Sequence, residues 1–361
     1  MPADDDALRI FFLDVGQGDC TFIVPPGGTV APILFDCADQ YVAERFVAAH
    51  QITDLHAVVA SHLDHDHIKG MLPFLRQHID AGRRVSRLVM FPDRVPKKDR
   101  NEGLRALMDQ ALKWERNPPH PGFALKAGQR DGDGPLVLAQ GDDWKIELVL
   151  PWVGGVAEAL LEGGDDPNAC SSVLRITRAG TSVLVGGDAP LGSWERLEPP
   201  LRLAKAIRTP HHGGEIREGG ETWQNFDDLY QAVNADLAVT SVGTRNSYPH
   251  PRADHLTAAR RQGACRLLCT QLTPRCHDDP QQLRGDALRI AGGVEPPYRH
   301  KAVPGCRSRR PDEEVPCAGS VLVWLAADGT LQTEPATSGD HDRLLLRVAH
   351  ALCRDSSTQV S

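Results

Sequence analysis

A chain of 361 residues, 41% hydrophobic and 24% charged, carries enough apolar material for one large domain with insertions or for two domains, and this excludes a disordered or fibrous protein. No run approaches the ~20 apolar residues of a bilayer span, and the acidic start Met1-Pro2-Ala3-Asp4-Asp5-Asp6 lacks the basic leader of a secretory signal, so a cytoplasmic protein without membrane contact is expected. A formal net charge of −8 argues against a broad nucleic-acid-coating surface, and nine irregularly spaced cysteines point to a reducing compartment.

In chain order, residues 8–13, 21–24 and 32–36 read as strands, separated by the turns Gly16-Gln17-Gly18 and Pro25-Pro26-Gly27-Gly28. Residues 41–50 have helical spacing through Val42, Phe46 and Ala49. The apolar run 57–60 is a buried strand, followed by a helix over 68–79 with Met71, Leu72, Leu75 and Ile79 on one face. A strand over 87–91 and an amphipathic helix over 101–114, capped by Asn101, come next; the Pro- and Gly-rich stretch 117–135 is expected to be a surface excursion. Strands are then expected over 145–150, 173–177, 182–185, 206–209, 235–241 and 266–270, with helices over 223–233 and 252–262 interleaved and a last helix over 340–353.

Between the strand over 57–60 and the helix after it lies His62-Leu63-Asp64-His65-Asp66-His67. So much imidazole and carboxylate in one short turn gains nothing as a solvated loop, whereas divalent cations satisfy several converging carboxylates and neutral imidazoles at once. His65 is expected to point away, because its neighbours on both sides point inward. His56, His120, His255 and His341 lack such a context and are expected at the surface.

The cluster resembles the H-x-H-x-D-H signature of the metallo-β-lactamase superfamily, with Asp64 where the second His usually stands. That H-x-D-x-D-H form is the one found in the nuclease-like domain of ComEC-type DNA-uptake channels and in phosphorylcholine esterases. Further segments follow in the family's order: Asp14-Val15-Gly16-Gln17-Gly18-Asp19 after a strand, Ile33-Leu34-Phe35-Asp36, Asn168-Ala169-Cys170-Ser171-Ser172-Val173-Leu174, Val183-Leu184-Val185-Gly186-Gly187-Asp188, Pro210-His211-His212-Gly213-Gly214 and Asn246-Ser247-Tyr248-Pro249-His250-Pro251. The resemblance spans about residues 8–270, with a closing strand pair near 319–334.

What the resemblance implies is an α/β protein, a metallo-β-lactamase-like four-layer α/β/β/α sandwich. It implies two divalent ions, Zn²⁺ or Mn²⁺. His62 and Asp64 would hold one, Asp66 and His67 the other, with Asp188 bridging and His211 or His212 completing the second site; His211 is favoured there, leaving His212 near the substrate. Asp64 hardens the first site and strengthens the case for Mn²⁺. Asn168 stands where many relatives carry another His ligand and is read either as substrate-facing or, with Ser171, as a turn cap. Asp14 and Asp36 are read as supporting groups, and His250 as a phosphate contact or general acid. The implied activity is phosphodiester hydrolysis, with DNA as substrate, Asp66, Asn168, His212 and His250 at the reacting centre, and an effector role in a bacterial defence system beside a protein partner from the same operon. The alternatives are a small-molecule or nucleotide phosphodiesterase and a non-catalytic binding module on the same fold.

The chain departs from the family after the strand over 266–270, where about fifty residues are inserted. Residues 1–270 are read as the catalytic domain, 271–317 as a Cys/His-rich insertion, 318–335 as the closing strand pair of that domain, and 336–361 as a C-terminal helix and tail. Cys269, Cys276, Cys306 and Cys317 frame a segment too poor in apolar residues to build a core, and a structural Zn²⁺ held by them would tie it down. Unliganded thiols and a disulfide are the alternatives.

Overall fold

Strand β1 (Leu8–Phe12) shows how the layers arise. Leu8, Ile10 and Phe12 enter one apolar cluster while Phe11 enters another, because successive side chains of a strand point to opposite faces. A strand buried on both faces needs a sheet on one side and helices on the other. The structure, a computed structural model, describes residues 6–91, 102–127, 134–151, 167–217, 221–261, 265–276, 316–336, 340–345 and 351–353.

The remaining strands are β2 (Cys20–Val24), β3 (Ile33–Cys37), β4 (Asp54–Leu55), β5 (Ala57–Val59), β6 (Arg84–Val85), β7 (Arg87–Met90), β8 (Ala124–Ala127), β9 (Leu136–Gln140), β10 (Trp144–Leu150), β11 (Val173–Arg178), β12 (Thr181–Gly186), β13 (Ala206–Arg208), β14 (Leu237–Thr240), β15 (Arg266–Cys269), β16 (Val321–Leu325) and β17 (Leu331–Glu334). One sheet runs β17-β16-β1-β2-β3-β5-β7-β8 and the other β15-β14-β13-β12-β11-β10-β9, while β4 and β6 form a short separate pair. The two sheets face each other across Ile10, Phe12, Ile23, Phe35 and Val59 on one side and Ile146, Leu148, Ile176, Val183 and Val239 on the other. Helices α1 (Gln40–Ala49), α2 (His65–Ile68), α3 (Met71–Asp80) and α4 (Glu102–Arg116) cover the outer face of the first sheet. The helices Leu191–Arg196, Phe226–Val233 and Ala253–Arg261 cover the second, around the buried Trp194 and Tyr230. The result is the α/β/β/α sandwich.

Each sheet is parallel in one part and antiparallel in the rest. β3, β5, β7 and β8 are parallel, as are β12, β13, β14 and β15. Parallel strands deliver their carboxyl ends to one edge, where ligands of open α/β sheets usually bind. The turns after β3, β5, β12, β13 and β14 therefore meet at a common edge.

Several local expectations are corrected. The stretch 117–135 contains a strand, β8, which pairs with β7 as an edge strand and is too exposed to carry an apolar period. The helix expected over 68–79 is split into α2 and α3 at Gly70, whose N–H donates to the Cys37 carbonyl. A Cβ there would sit 2.4 Å from the Gln40 nitrogen, so the chain turns where it presses on the start of α1. The last helix covers Asp340–Leu345, and residues 351–353 lie in a bridge and turn, with the Leu352 N–H donating to Cys276. His255 and His341 are buried, not exposed; His255 stacks on Phe226 at 4.1 Å and donates from Nδ1 to the Gly214 carbonyl. The Asn101 cap, Cys306 and most of the 271–317 insertion lie outside the described residues.

Gly18 anchors the metal-bearing turn to the first sheet. It has φ +130°, and the next residue, Asp19, donates its N–H to the Asp66 carbonyl at 3.0 Å. A Cβ on Gly18 would lie 2.4 Å from that same carbonyl oxygen and 2.6 Å from Ala38 Cβ. Gly18→Ala is expected to cost more than ~1 kcal/mol, since both the backbone angle and the contact are incompatible with a side chain. Chemical denaturation checks this, and an unchanged midpoint would show that the turn is not anchored here.

Candidate metal centre

His62 follows β5 directly, and the turn enters α2 with Asp64 at its N-cap and Asp66 in its first turn. His62 and His67 are buried, Asp64 and Asp66 half-buried, and His65 exposed. Asp188 follows β12 and is buried, with its N–H donating to Ser171 Oγ at 2.8 Å. His211 and His212 follow β13 with φ of 51° and 53°, both left-handed. Two consecutive non-glycine residues in that region cost on the order of 1–2 kcal/mol each. Strain of this kind persists where the surroundings over-determine it. Here it turns two adjacent side chains to the same centre.

Those two imidazoles take different places around Asp188. His67 Nε2 and His212 Nε2 lie 3.2 Å and 3.9 Å from Asp188 Oδ1, and His212 Nε2 is 3.3 Å from Asp66 Oδ2. On the other side, His62 Nε2 and His211 Nε2 each lie 3.7 Å from Asp188 Oδ2, and His62 Nε2 is 3.6 Å from Asp64 Oδ2. Thus His212 stands with Asp66 and His67, while His211 stands with His62 and Asp64, the reverse of the order favoured from the sequence. Asn168 gives its backbone carbonyl to the Ser171 N–H, in a short 3₁₀ turn. It is His211 that flanks Asp188 Oδ2.

The ring nitrogens decide what such a cluster can hold. Nδ1 of His67 donates to Asp36 Oδ2 at 2.9 Å, Nδ1 of His212 to the Ser241 carbonyl at 2.9 Å, and Nδ1 of His211 to the Glu215 carbonyl at 2.7 Å. Nδ1 of His62 lies 3.1 Å from Ser61 Oγ. Every Nε2 is thereby turned inward, the arrangement by which metal-ligating histidines are held. Among the described residues, Nε2 of His62, His67 and His212 and Oδ1 of Asp188 are buried without a well-aligned hydrogen-bond partner. Donor spacings of 3.2–3.9 Å match the edges, ~3.4 Å, of a tetrahedron around an ion ~2.1 Å from each ligand. The donor set fits divalent cations.

Asp19, which the sequence did not single out as a site residue, lies within the same cluster; one ligand atom from each of Asp19, His67, Asp188 and His212 falls within 4.8 Å of the others. Its oxygens approach the outer nitrogens, 3.5 Å from His67 Nδ1 and 3.7 Å from His212 Nδ1, and it pairs with buried Arg208. We read it as a positioning group on those grounds. The legible signal was Arg208 itself, a charge at a buried position of the apolar strand Ala206–Arg208 that demands a buried counter-ion. Asp36 supports similarly, accepting from the Ser61 N–H at 2.7 Å, while Asp14 accepts from Gln271 Nε2.

His250 closes one wall. Its ring lies 4.8 Å from that of His211 and 6.0 Å from that of His212, and its Nδ1 is buried without a partner among the described residues. Burial and then the positive charge at His212 and His211 push its pKa down to about 3, so the ring is neutral near neutrality.

The thiols form a second grouping. Cys269, Cys276 and Cys317 are buried in the core of the second sheet, and the neighbour that joins them is Cys353, whose Sγ is 3.4 Å from that of Cys269. A hydrogen bond from Cys269 outweighs burial and draws the Cys276 thiol down to about 7. Cys353 was missed because its partner lies 84 residues away in the chain.

The profile of the metallo-beta-lactamase superfamily matches residues 13–223. The chain belongs to that superfamily. It is similar to ComE operon protein 3 of Bacillus subtilis, 26% identical over 274 residues, which cover 70% of this chain and 30% of that one. The chain therefore spans about 30% of that relative's length. Among solved structures it is similar to the metallo-beta-lactamase fold protein YhfI of B. subtilis (15% identity, TM-score 0.44, covering 73% of this chain and 96% of that one) and to the short form of human tRNase Z (12%, 0.40, 73% and 92%). Among the described residues, no helix is long and apolar enough to cross a membrane.

In the protein without cations, positive charge is supplied by protons. Burial opposes the charged form of His212, but Asp19, Asp188 and Asp66 prevail and raise its pKa to about 9; His67 is raised likewise by Asp188 and Asp36. A pKa raised from 6.5 to about 9 contributes stability that is complete below pH 6.5 and is lost as pH climbs through 9. His250, lowered by burial to about 3, works oppositely and costs stability below pH 6.5. Chelator-treated protein should therefore be most stable near pH 6.5, and His212→Gln should flatten the alkaline limb. Thermal melts across pH 5–10 test this; an alkaline limb unchanged in the variant would show that His212 carries no proton.

Proposed function

We propose that the protein is a binuclear, metal-dependent phosphodiesterase acting on nucleic acid, with DNA as its substrate. The observation that carries the reading is the division of donors around Asp188, one carboxylate oxygen toward each set. In this reading His62, Asp64 and His211 would hold the first ion and Asp66, His67 and His212 the second, with Asp188 available to both sets. Two divalent ions supply an acidified water and charge neutralisation on the two oxygens exchanged in an in-line displacement. The mixed imidazole–carboxylate sets suit Zn²⁺ or Mn²⁺. The similarity to ComE operon protein 3, and the resemblance of the H-x-D-x-D-H turn to that of ComEC-type nuclease-like domains, support nucleic acid as the substrate class.

The chain's own residues then have distinct tasks. Asp36, Ser61, Ser241 and the Glu215 carbonyl fix the four imidazoles, so that little reorganisation is needed when charge develops on the oxygens around phosphorus. Arg208 holds Asp19 against two of those rings and keeps the buried negative charge compensated. His250 offers a neutral ring nitrogen to a phosphate oxygen.

Asp188→Asn and Asp66→Ala are each expected to lower hydrolysis of bis-(p-nitrophenyl) phosphate and of linear DNA by at least about a hundredfold. Circular dichroism should show both variants folded, and elemental analysis should show fewer than two divalent ions per chain. Full activity in either variant, with wild-type metal content, would refute the binuclear assignment.

A further inference from the structure

Among the large apolar and aromatic side chains left exposed, Tyr248 stands out by position. Lone surface aromatics are ordinary and by themselves need no explanation. Tyr248, however, is 53% exposed and its ring lies 5.5 Å from that of His250, inclined by 32°. His250 in turn is 6.0 Å from His212 and inclined by 27°. The three rings form a ladder from solvent to the donors around Asp188, on the scale of one nucleoside.

The loop that carries Tyr248 is held at several points. Val242 and Thr244 donate their N–H groups to Thr270 Oγ1 and Gln271 Oε1, at 2.9 Å and 2.8 Å. Asn246 Nδ2 spans the loop, donating to the Gly243 carbonyl at 2.8 Å and the His250 carbonyl at 3.2 Å. An aromatic ring presented on an anchored backbone loses little freedom when something stacks on it. Among the described residues, Arg217 and Arg252 are bound to Glu215 and Asp254, Arg245 is the exposed cation of the loop itself, and the chain as a whole carries −8. Beyond the cations of the centre, affinity for a polyanion would then draw on contacts other than bulk positive charge. Stacking of a base on an aromatic face tolerates any sequence and is worth about 5- to 150-fold per base.

We propose that Tyr248 is a stacking platform for the nucleobase next to the scissile phosphodiester, so that the site takes a single-stranded or unpaired nucleotide with its base splayed out. This rests on the reading of the centre as a nucleic-acid phosphodiesterase and adds a requirement for the base. Tyr248 is a specificity residue in this account.

The experiment compares two fluorescein-labelled decamers, a mixed-sequence single strand and one in which every base is replaced by an abasic analogue, bound to the full chain loaded with Mn²⁺ and read by anisotropy within the time before turnover. Wild type should bind the base-bearing strand about tenfold or more tightly than the abasic one. Tyr248→Ala should bring that ratio close to one, and Tyr248→Phe should restore it. A 2-aminopurine placed in the strand should be quenched on binding by wild type and by Tyr248→Phe, and not by Tyr248→Ala. A wild-type ratio near one, failure to bind either strand, or an equal loss for both strands in Tyr248→Ala would overturn the proposal. Hydrolysis of bis-(p-nitrophenyl) phosphate, measured in parallel with the Asp188→Asn control, reports separately on the phosphodiesterase reading: its absence beside an intact base preference would sink that reading and leave base stacking by Tyr248 standing.

Discussion

Buried negative charge organises this molecule. Asp19, Asp36 and Asp188 lie at the facing edges of two sheets with almost no solvent contact, and Asp66 is close by. Carboxylates cannot stay ionised in such surroundings unless positive charge reaches them. Arg208 compensates one side of the cluster, against Asp19 and Asp36. On the Asp188 side the partners are imidazoles, which hold protons only because the carboxylates force them to. Such a cluster could exchange the protons of His67 and His212 for a divalent cation, in which case metal binding and folding would draw on the same charge balance.

The rest of the edge is arranged to keep that charge in register. Of the six non-glycine residues with positive φ among the described residues, Asp36, His211 and His212, with φ between 51° and 59°, lie in the turns that carry or support the cluster. Short hydroxyl contacts lock the two sheets together there: Ser171 Oγ reaches both the Asp188 N–H and His62, and the Ser172 N–H donates to the Ser61 carbonyl. Ser61 and Ser171 therefore couple a turn of the first sheet to a turn of the second across the centre. Loss of the Ser171 hydroxyl would loosen the ring of His62 and the backbone of Asp188 together, and loss of the Ser61 hydroxyl the rings of His62 and His67.

Legibility in the sequence followed the range of the interactions. The donors of the His62–His67 turn are neighbours in the chain, so their clustering is visible as a string, and the ordered apolar runs announce two sets of strands. Edge strand β8 was hidden because half-exposed residues carry no period. The split at Gly70 was hidden because its cause, the start of α1, lies some thirty residues upstream. The choice between His211 and His212 could not be made from the sequence at all: both rings face Asp188, from opposite sides, and two consecutive left-handed residues place them there. Asp19 escaped notice because what defines it, Arg208, comes from the other sheet.

The turn after β13 presents two imidazoles to one carboxylate, His211 toward Asp188 Oδ2 and His212 toward Oδ1. Donation of His211 Nδ1 to the Glu215 carbonyl holds the ring in that orientation. Unlike His212, His211 remains partly open to solvent, with about 23% of its side chain exposed, and the ring of His250 packs across it. Asp64, Asp66 and His211 thus sit toward solvent, and His62, His67 and His212 form the floor of the cluster. His250 and Tyr248 line the wall beside His211, so the solvent-facing approach to the cluster is bounded on that side by aromatic rings.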